Sequence, residues 1–332
     1  MRNRRRRFTA AAIVFALGML ASGAFGVTWA TFAATTSNSG NSFSANTDFQ
    51  APSVTGPVID RSGDCSPNTT GYVKQGGAYF VYSNVTDSGN PSSGVSTVTA
   101  DAHNVTTGQS SASMTTTGGP WTVAGTSYNY RSSSLTADNP LTAGSKSYSV
   151  AATDGHSNST NASASVTVDN TVPSASDIQT TNKTGGTIGK PEQGDSITLT
   201  YSEPVETCSI LSGWDGSSQV LYVQLTNGGG GNDTITFFST VSPFPQLPMG
   251  SINLGRTDYT SGNVTFGGAT SSTMVVSGNS IVVTLGTASA ADTTAASTGT
   301  MTWTPSATAT DRAGNACSTT AANESGAADK DF

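Results

Sequence analysis

Short segments in which apolar and hydroxylated residues alternate are the feature that most limits the fold of this chain. Residues 196–201 read Ser-Ile-Thr-Leu-Thr-Tyr, so that every second side chain is apolar. Successive side chains of a β-strand point to opposite faces, and this period of two places Ile197, Leu199 and Tyr201 on one buried face. Similar segments recur between clusters of Gly, Asn and Ser, which favour turns. The sequence therefore predicts an all-β fold.

The composition agrees with this prediction. Ser and Thr make up nearly a third of the chain, 37 of its 332 residues are Gly, and charged residues are only 11%. Thr suits a half-exposed pleated surface, whereas strong helix formers are scarce. Because Tyr, Phe, Trp, Val and Ile recur at strand spacing, a folded core is favoured over disorder.

Individual strands can be placed by the same pattern. The connection of Ser277, Gly278, Asn279 and Ser280 between two apolar runs predicts a β-hairpin, because Gly-Asn suits a tight turn that needs positive φ. We expect Trp121 to fill the core of the first half and residues 300–304 to form a late core strand. The other predicted strands are residues 78–82, 95–100, 128–130, 146–152, 162–168, 196–201, 219–225, 234–238, 273–276 and 281–283.

The N-terminus has the organisation of a secretory leader. Five arginines stand before residues 8–34, which contain no charged residue. Small residues at 21–24 and again at 30–34 offer two sites for a signal peptidase, and an uncleaved segment would exceed the roughly 20 residues that span a bilayer. We expect export, with residues 1–34 forming a hydrophobic leader helix that is either a signal peptide or an N-terminal membrane anchor.

The net charge limits the possible partners. Removal of the leader leaves 9 basic and 21 acidic residues, which is a net charge of −12. Nucleic acid and anionic lipid bind basic surfaces, so neither is an expected partner. Contact with a membrane is expected only through the N-terminal segment, and the oligomeric state is left open.

Internal repetition predicts two tandem domains. The segment Ala152-Thr153-Asp154-Gly155-His156-Ser157-Asn158 returns as residues 309–315, and Ala51-Pro52-Ser53 is echoed at residues 172–174. The starts are 121 positions apart and the ends 157, so the second unit is about 36 residues longer. We predict a linker at residues 35–50, a β-sandwich at 51–171 and a larger one with an insertion at 172–332.

The junction between the two units resembles a known family. Asp169-Asn170-Thr171-Val172-Pro173, the Ala-Thr-Asp segments followed by Asn near each end, and Ser202-Glu203-Pro204-Val205 after an alternating strand resemble bacterial immunoglobulin-like repeats of surface proteins. This resemblance implies two immunoglobulin-like sandwiches. Residues 29–32 and 41–45 also resemble leaders of secreted bacterial matrix-fibre proteins, which implies secretion into an extracellular matrix.

Three cysteines in an exported chain allow three disulfide pairings, each of which leaves one thiol over. We predict the bond Cys208–Cys317 because both residues fall in the second unit, near its second and its closing strand, whereas Cys65 stands alone in the first. The alternative is that none of the cysteines pair.

Catalytic motifs are missing from the sequence. It contains no G-x-S-x-G, H-E-x-x-H or paired C-x-x-C, and the glycines at 228–231 are not followed by the lysine that phosphate binding requires. His103 and His156 stand among turn residues. Glu203 and Glu206 could in principle form an acidic pair for glycoside chemistry, but Pro204 breaks the strand between them and favours solvated loop acids. We therefore expect no enzyme, no catalytic residue and no organic cofactor.

Calcium is a more reasonable use of carboxylate oxygens in this chain. Asp154, Asp169 and Asp311 lie near domain ends, where extracellular sandwiches can bind Ca²⁺ between modules. Spacing alone does not distinguish such ligands from aspartates that cap turns, and turn-capping is the simpler interpretation. Structural Ca²⁺ is therefore the only inorganic cofactor considered.

The leading functional hypothesis is an exported, non-catalytic surface or extracellular-matrix protein. Its sandwiches would act as structural and adhesive units that bind other surface proteins or glycans. The alternative is a secreted carbohydrate-binding accessory or enzyme with its site in the second domain. Its candidate residues are Trp214, Asp215, Tyr222 and Asp233. Exposure of Trp214 and Tyr222 along a groove would favour sugar stacking, whereas burial of both would assign them to the core.

Overall fold

The computed structural model describes residues 48–61, 65–240, 245–328, 330 and 332. The predicted leader at 1–34 and the predicted linker before residue 48 lie outside these residues. Within them the all-β prediction is confirmed, because the regular structure consists of strands apart from a single helical turn, α1, at Thr207–Ile210. Nowhere in the described ranges is there a helix long and apolar enough to cross a membrane.

The first domain is built from strands between residues 53 and 168. In chain order these are β1 Ser53–Arg61, β2 Tyr72–Val73, β3 Ala78–Thr86, β4 Val95–Asp101, β5 Ala112–Thr115, β6 Trp121–Val123, β7 Thr126–Tyr128, β8 Tyr130–Ser132, β9 Leu135–Thr136, β10 Gly144–Asp154 and β11 Ser159–Val168.

The strands of the first domain form two layers that share a strand. The order is β1-β3-β8-β5-β4-β10-β11-β2, with β9 also paired to β3 and the hairpin β6–β7 separate. Strand β5 pairs with β4 on one side and β8 on the other, and so joins the layers. The longest ladder runs between β10 and β11, from Gly144↔Val168 to Thr153↔Ser159.

The second domain contains the remaining strands. They are β12 Ala175–Thr181, β13 Ser196–Tyr201, β14 Gln219–Thr226, β15 Thr234–Phe238, β16 Gln246–Asn253, β17 Val264–Phe266, β18 Ser272–Ser277, β19 Ser280–Thr284, β20 Thr302–Thr304 and β21 Ala322–Asn323. Their order is β12-β13-β19-β18-β14-β15-β16-β20-β21, with β17 paired to β14. Here β14 is the shared strand, because it pairs with β18 through its first residues and with β15 and β17 through its later ones.

Each domain has its own apolar core. In the second domain, β13 alternates as predicted, with Ile197, Leu199 and Tyr201 almost completely buried. The ring of Tyr201 meets Trp303 edge to face at a centroid distance of 4.8 Å, and the Trp303 indole N–H donates to the Met249 carbonyl at 2.8 Å. The buried indole is therefore both packed and hydrogen-bonded, as a core tryptophan requires.

Trp121 does not fill the main core of the first domain, so this prediction is wrong. The residue is half-buried on β6 and packs in a separate small cluster with Tyr82, Val123 and Tyr128. The reason is topological, because among the described strands β6 pairs only with β7 and lies outside the main sheets.

The predicted hairpin is present. Strands β18 and β19 pair from Thr273↔Thr284 to Ser277↔Ser280, which leaves Gly278 and Asn279 as the two-residue turn. Gly278 has φ +62°, the sign that the first central residue of a primed turn requires.

The change from one sheet to the other falls between Val168 and Ala175. Both domains nevertheless belong to one compact unit, Asn46–Phe332. The Thr69 N–H of the first domain donates to the Glu206 carboxylate of the second, so a hydrogen bond crosses directly between them.

Candidate functional site

Three carboxylates meet at one end of the first domain. Asp48 precedes β1, Asp87 follows β3 and Asp154 ends β10. One carboxylate oxygen from each lies within 4.8 Å of the other two, and Asp48 and Asp154 are buried. We call this group the first cluster. Of its members, sequence reasoning had identified only Asp154.

A turn between β10 and β11 holds Asp154 in place. Its Oδ1 accepts hydrogen bonds from the backbone N–H groups of His156 and Asn158, both at 2.8 Å. The side-chain amide of Asn158 donates to Asp154 Oδ2 at 2.7 Å and to the Asp48 carbonyl at 3.1 Å. Burial pushes the pKa of Asp154 upward, but the hydrogen bonds from Asn158 and His156 outweigh it and the pKa is lowered.

The other two carboxylates of the first cluster are also well satisfied. Asp87 Oδ2 accepts hydrogen bonds from the Ser92 hydroxyl and the Gly94 N–H, each at 2.7 Å. Asp48 accepts from the backbone N–H groups of Gln50 at 3.0 Å and Ser93 at 2.7 Å, and these bonds lower its pKa. The end of the predicted linker is thus part of the folded domain.

A second cluster repeats this arrangement in the second domain. It consists of Asp169 before β12, Glu203 after β13 and Asp311, whose carboxylate oxygens also lie within 4.8 Å of one another. Asp311 Oδ1 accepts the N–H groups of Ala313 at 2.9 Å and Asn315 at 2.7 Å. The Asn315 amide donates to Asp311 Oδ2 at 2.8 Å and to the Asp169 carbonyl at 2.9 Å.

The two clusters correspond residue by residue. Asp48 and Asp169 are 121 positions apart, which is also the offset between the two prolines of the repeated start. Asp154 and Asp311 are 157 positions apart, and Asn158 and Asn315 have the same offset. Asp154 and Asp311 do cap turns, as the simpler interpretation predicted. The structure also brings Asp169 and Asp311 together, but it places Asp154 with Asp48 instead.

The clusters differ at one position, where Asp87 is replaced by Glu203. Oε1 of Glu203 is buried and has no hydrogen-bond partner among the residues that the structure describes. Burial, together with the charges of Asp169 and Asp311, raises the pKa of Glu203 to about 7. Burial also raises the pKa of Asp311, against the hydrogen bonds from Asn315. Ionisation of the carboxylates is therefore less favourable in the second cluster than in the first.

No lysine or arginine within the described ranges forms an ion pair with any of the six carboxylates. Carboxylate and carbonyl oxygens are the ligands that Ca²⁺ takes, at coordination numbers of roughly six to eight that water can complete. Each cluster supplies three carboxylates as a possible donor set. Glu203 is thus grouped with Asp169 and Asp311 rather than with Glu206.

Glu206 belongs to the contact between the domains. Its Oε2 accepts the Thr69 N–H at 2.9 Å and lies 3.6 Å from Arg61 Nη2, and both charged side chains are almost completely buried. Beside it, Lys74 Nζ donates to the Gly314 carbonyl at 2.5 Å. Breaking a buried ion pair on one side leaves an uncompensated charge, which typically costs about 3–5 kcal/mol.

The predicted disulfide is wrong. Cys208 bonds to Cys65 across the domain contact, over a separation of 143 residues, and Cys317 is a free buried thiol. The reason is that α1 faces the first domain, where the Gly213 N–H donates to the Ser66 carbonyl at 3.0 Å. Cys317 instead belongs to the core of the second domain, and burial raises the pKa of its thiol to about 11.

The proposed sugar-facing aromatic Trp214 is also assigned wrongly. Trp214 is only 2% exposed, and its indole N–H donates to the Ser217 carbonyl at 2.6 Å. Asp233 is fully buried and accepts the N–H groups of Tyr259 and Thr260. Tyr222 is half-buried on β14, so a groove lined by both aromatics does not form.

The chain matches no protein family model, and no curated protein matches its sequence significantly. What the geometry defines is a class: an all-β protein of two sandwich-like domains, joined by a disulfide, with an equivalent carboxylate cluster in each domain.

Proposed function

We propose that this chain is an exported, non-catalytic surface or extracellular-matrix protein whose two sandwiches act together as one rigid structural and adhesive unit. The observation that carries the proposal is the disulfide Cys65–Cys208 between the domains. Disulfides persist in oxidising compartments outside the cytosol, which agrees with the leader at residues 1–34.

The disulfide closes a loop of 143 residues. On the chain-entropy model, a loop of this length contributes about 5 kcal/mol by constraining the unfolded chain. The buried contacts of Glu206 with Thr69 and Arg61 lie at the same boundary. A covalent bond beside a buried ion pair resists hinge motion, and this suits a protein that transmits load or spaces binding surfaces.

The correspondence of the two clusters supports the resemblance to bacterial immunoglobulin-like repeats. The same Asp and Asn positions organise the end of each domain, although the sequences between them have diverged. A repeated module is the usual construction of extracellular structural proteins, and in this proposal both modules come from that family.

Structural Ca²⁺ is the second part of the proposal. The support is that the three carboxylates of each cluster form no ion pair with a lysine or arginine of the described residues, while Glu203 buries an oxygen to which no described residue donates. A divalent cation would compensate this charge and tie the start of each domain to its end. The cation would stabilise the fold and take no part in a reaction.

Cell fractionation followed by N-terminal sequencing of the mature protein tests the export proposal. We expect a start near residue 24 or 34 in the secreted or surface fraction. Peptide mapping without reductant should recover Cys65 linked to Cys208, with Cys317 alkylated only after unfolding. A cytosolic protein with Arg2 to Arg7 intact and all three thiols reduced would contradict the proposal.

A further inference from the structure

The outward face of four neighbouring strands in the second domain carries no charge. Strands β13, β19, β18 and β14 lie side by side in one sheet. Each strand buries its inner face completely, as shown by Ile197, Ile281, Met274 and Leu221. The alternate positions therefore point outward, and they are occupied by Ser, Thr, Val, Gln and Tyr alone. We call the outward side chains of these four strands the valine face.

Three valines form an apolar patch on the valine face. Val275 lies opposite Val282 in the β18–β19 ladder, and Val220 lies opposite Thr273, two residues before Val275. Opposite side chains on one face of a sheet are about 5 Å apart and diagonal ones about 7–8 Å, so the three valines are neighbours. Val220 is 43% and Val275 39% exposed. Single exposed apolar residues need no explanation, whereas neighbouring ones on an uncharged face indicate a contact surface.

Hydroxyl groups adjoin the patch. Thr198 lies opposite Val282, on the side of Val282 away from Val275. In the next row, the hydroxyls of Thr200 and Ser280 are hydrogen-bonded at 2.9 Å. A hydroxyl both donates and accepts hydrogen bonds, so two identical rows of hydroxyls can bond to each other, which two rows of carboxylates cannot. The valine face is therefore chemically complementary to itself.

The charge of the chain selects the partner. The net charge is −7 for the full chain, and the 9 basic and 21 acidic residues that follow the leader give −12. Two such chains repel each other, and this repulsion is weakest where a surface carries no charge. A basic partner would instead be attracted to the acidic surfaces. A glycan would need an aromatic platform, and Tyr222 is the single aromatic residue of the valine face.

The outward face of the first domain lacks such a patch. The outward positions of β10 and β11 hold Ser, Thr, Asn and one Ala. On the adjacent strand β4, the carboxylate of Asp101 lies opposite Ser149. Two copies joined through this face would bring like charges together without an apolar contact in return. The first domain thus offers a control surface on the same chain.

We propose that two copies of this chain associate through their valine faces, as a two-fold symmetric dimer in which sheet packs on sheet. Four strands about 4.8 Å apart, with lengths of 5 to 8 residues, cover about 400 Å². A standard stable interface buries about 800 Å² per partner, so this dimer is weak and reversible. The inference goes beyond the proposed function, because a second copy can bind whether or not the chain is exported.

Sedimentation velocity over a wide concentration series tests the association. The purified protein is used in the form that N-terminal sequencing identifies. We expect the average mass to rise from that of a monomer toward that of a dimer as the concentration increases. The dimer should become stronger as salt is added, because salt screens the repulsion between acidic chains and leaves apolar contacts intact.

Three variants assign the association to the valine face. Val275→Glu brings like charges together at the patch, so we expect dimerisation to weaken about tenfold or more. Ser163→Glu is the matched control, because it adds the same charge at an exposed position of β11 in the first domain and should leave the dimer intact. A mixture of Val275→Glu and Val275→Lys chains should associate again. Circular dichroism and the melting temperature confirm that the variants fold.

Four results would overturn the inference: a monomer at every concentration, equal weakening by Val275→Glu and Ser163→Glu, no renewed association in the Val275→Glu and Val275→Lys mixture, or a dimer that weakens as salt is added. A monomer that binds cellohexaose through Val275 would assign the face to a glycan instead. The proposed function fails separately. An exported monomer with the Cys65–Cys208 bond loses only this inference, whereas a cytosolic chain with reduced thiols loses the proposed function even if it dimerises.

Discussion

The two domains hold the same cluster in different electrostatic states. In the first domain, Asp87 accepts two hydrogen bonds at 2.7 Å, and Asp48 and Asp154 have lowered pKa values. In the second, Glu203 buries an unpaired oxygen and has its pKa raised to about 7. The same arrangement of turns thus holds a set of hydrogen-bonded carboxylates in the first domain and a set with an unpaired oxygen in the second.

This difference extends beyond the clusters. Among the described residues, the carboxylate oxygens that are buried without a hydrogen-bond partner are those of Glu203 and Asp292, and both belong to the second domain. Burying an unpaired charged group costs stability. The described carboxylates of the second domain therefore carry an electrostatic cost that those of the first domain avoid.

The largest expected effect comes from separating the domains with Cys65→Ser. Loss of the disulfide should reduce the free energy of unfolding by up to about 5 kcal/mol. It should also split a single denaturant transition into two, with the second domain unfolding first. Chemical denaturation followed by fluorescence and circular dichroism measures this. Cys317→Ser is the control, because it leaves the interdomain bond in place. A single unshifted transition for Cys65→Ser would show that the bond does not couple the domains.

The next effect tests whether the clusters share one framework. Asp311→Ala removes the acceptor of the Ala313 and Asn315 N–H groups and should cost about 3 kcal/mol. Asp154→Ala breaks the matching bonds in the first domain and should also destabilise it. The measurement is the unfolding free energy from urea titration.

Asp215→Ala is the control for these two variants. Asp215 caps an exposed turn through the Ser217 N–H, so its loss should change stability little. If Asp311→Ala changed stability no more than Asp215→Ala, the cluster would not be a structural element.

The fold was predictable because its signals are local. Ser196–Tyr201 and Thr234–Phe238 coincide with the predicted strands, and the Gly278 turn follows from its two central residues. These features depend on the alternation of neighbouring side chains and on backbone angles, and short segments of sequence determine both.

The sites were harder because they depend on how distant segments meet. The packing of one domain on the other brings Cys65 and Cys208 together, and the spacing of cysteines in the sequence does not predict that packing. Asp48 was missed because it stood in a predicted linker, although its offset of 121 from Asp169 matches that of the repeated prolines and could have identified it. Glu203 was compared with Glu206 only because the two are close in sequence.

Calcium should act on both clusters and reveal their difference. With one site per cluster at 100 times its dissociation constant, Ca²⁺ adds about 2.7 kcal/mol per site. Melting temperatures in Ca²⁺ and in EGTA measure the gain. Glu203→Gln should remove the second domain's share and Asp87→Asn the first domain's. Mg²⁺ serves as the comparison cation. Equal melting temperatures in Ca²⁺ and EGTA would contradict the proposed Ca²⁺ sites.

The smallest effect concerns Asp292, the second unsatisfied carboxylate. Burial raises its pKa to about 6, against the attraction of Lys190. Below the unfolded pKa of about 3.9, Asp292 is protonated in both the folded and the unfolded state. As the pH rises from there to about 6, the unfolded state ionises more readily, so the folded state loses stability, and above about 6 this loss stays constant. Asp292→Asn should therefore stabilise the protein by about 1–2 kcal/mol at pH 7.5 and have little effect at pH 3.5.

Asp258→Asn gives the opposite sign and completes this test. Hydrogen bonds from Arg256 lower the pKa of Asp258 to about 2, so its charge stabilises the fold above the unfolded pKa, and this contribution is lost as the pH falls toward 2. The variant should be less stable than the parent at pH 7.5, by a modest amount because the pair is partly solvated. Urea titrations at both pH values measure the two variants. If Asp292→Asn also lost stability at pH 7.5, the buried charge of Asp292 would carry no cost. The electrostatic difference between the domains would then depend on Glu203 alone.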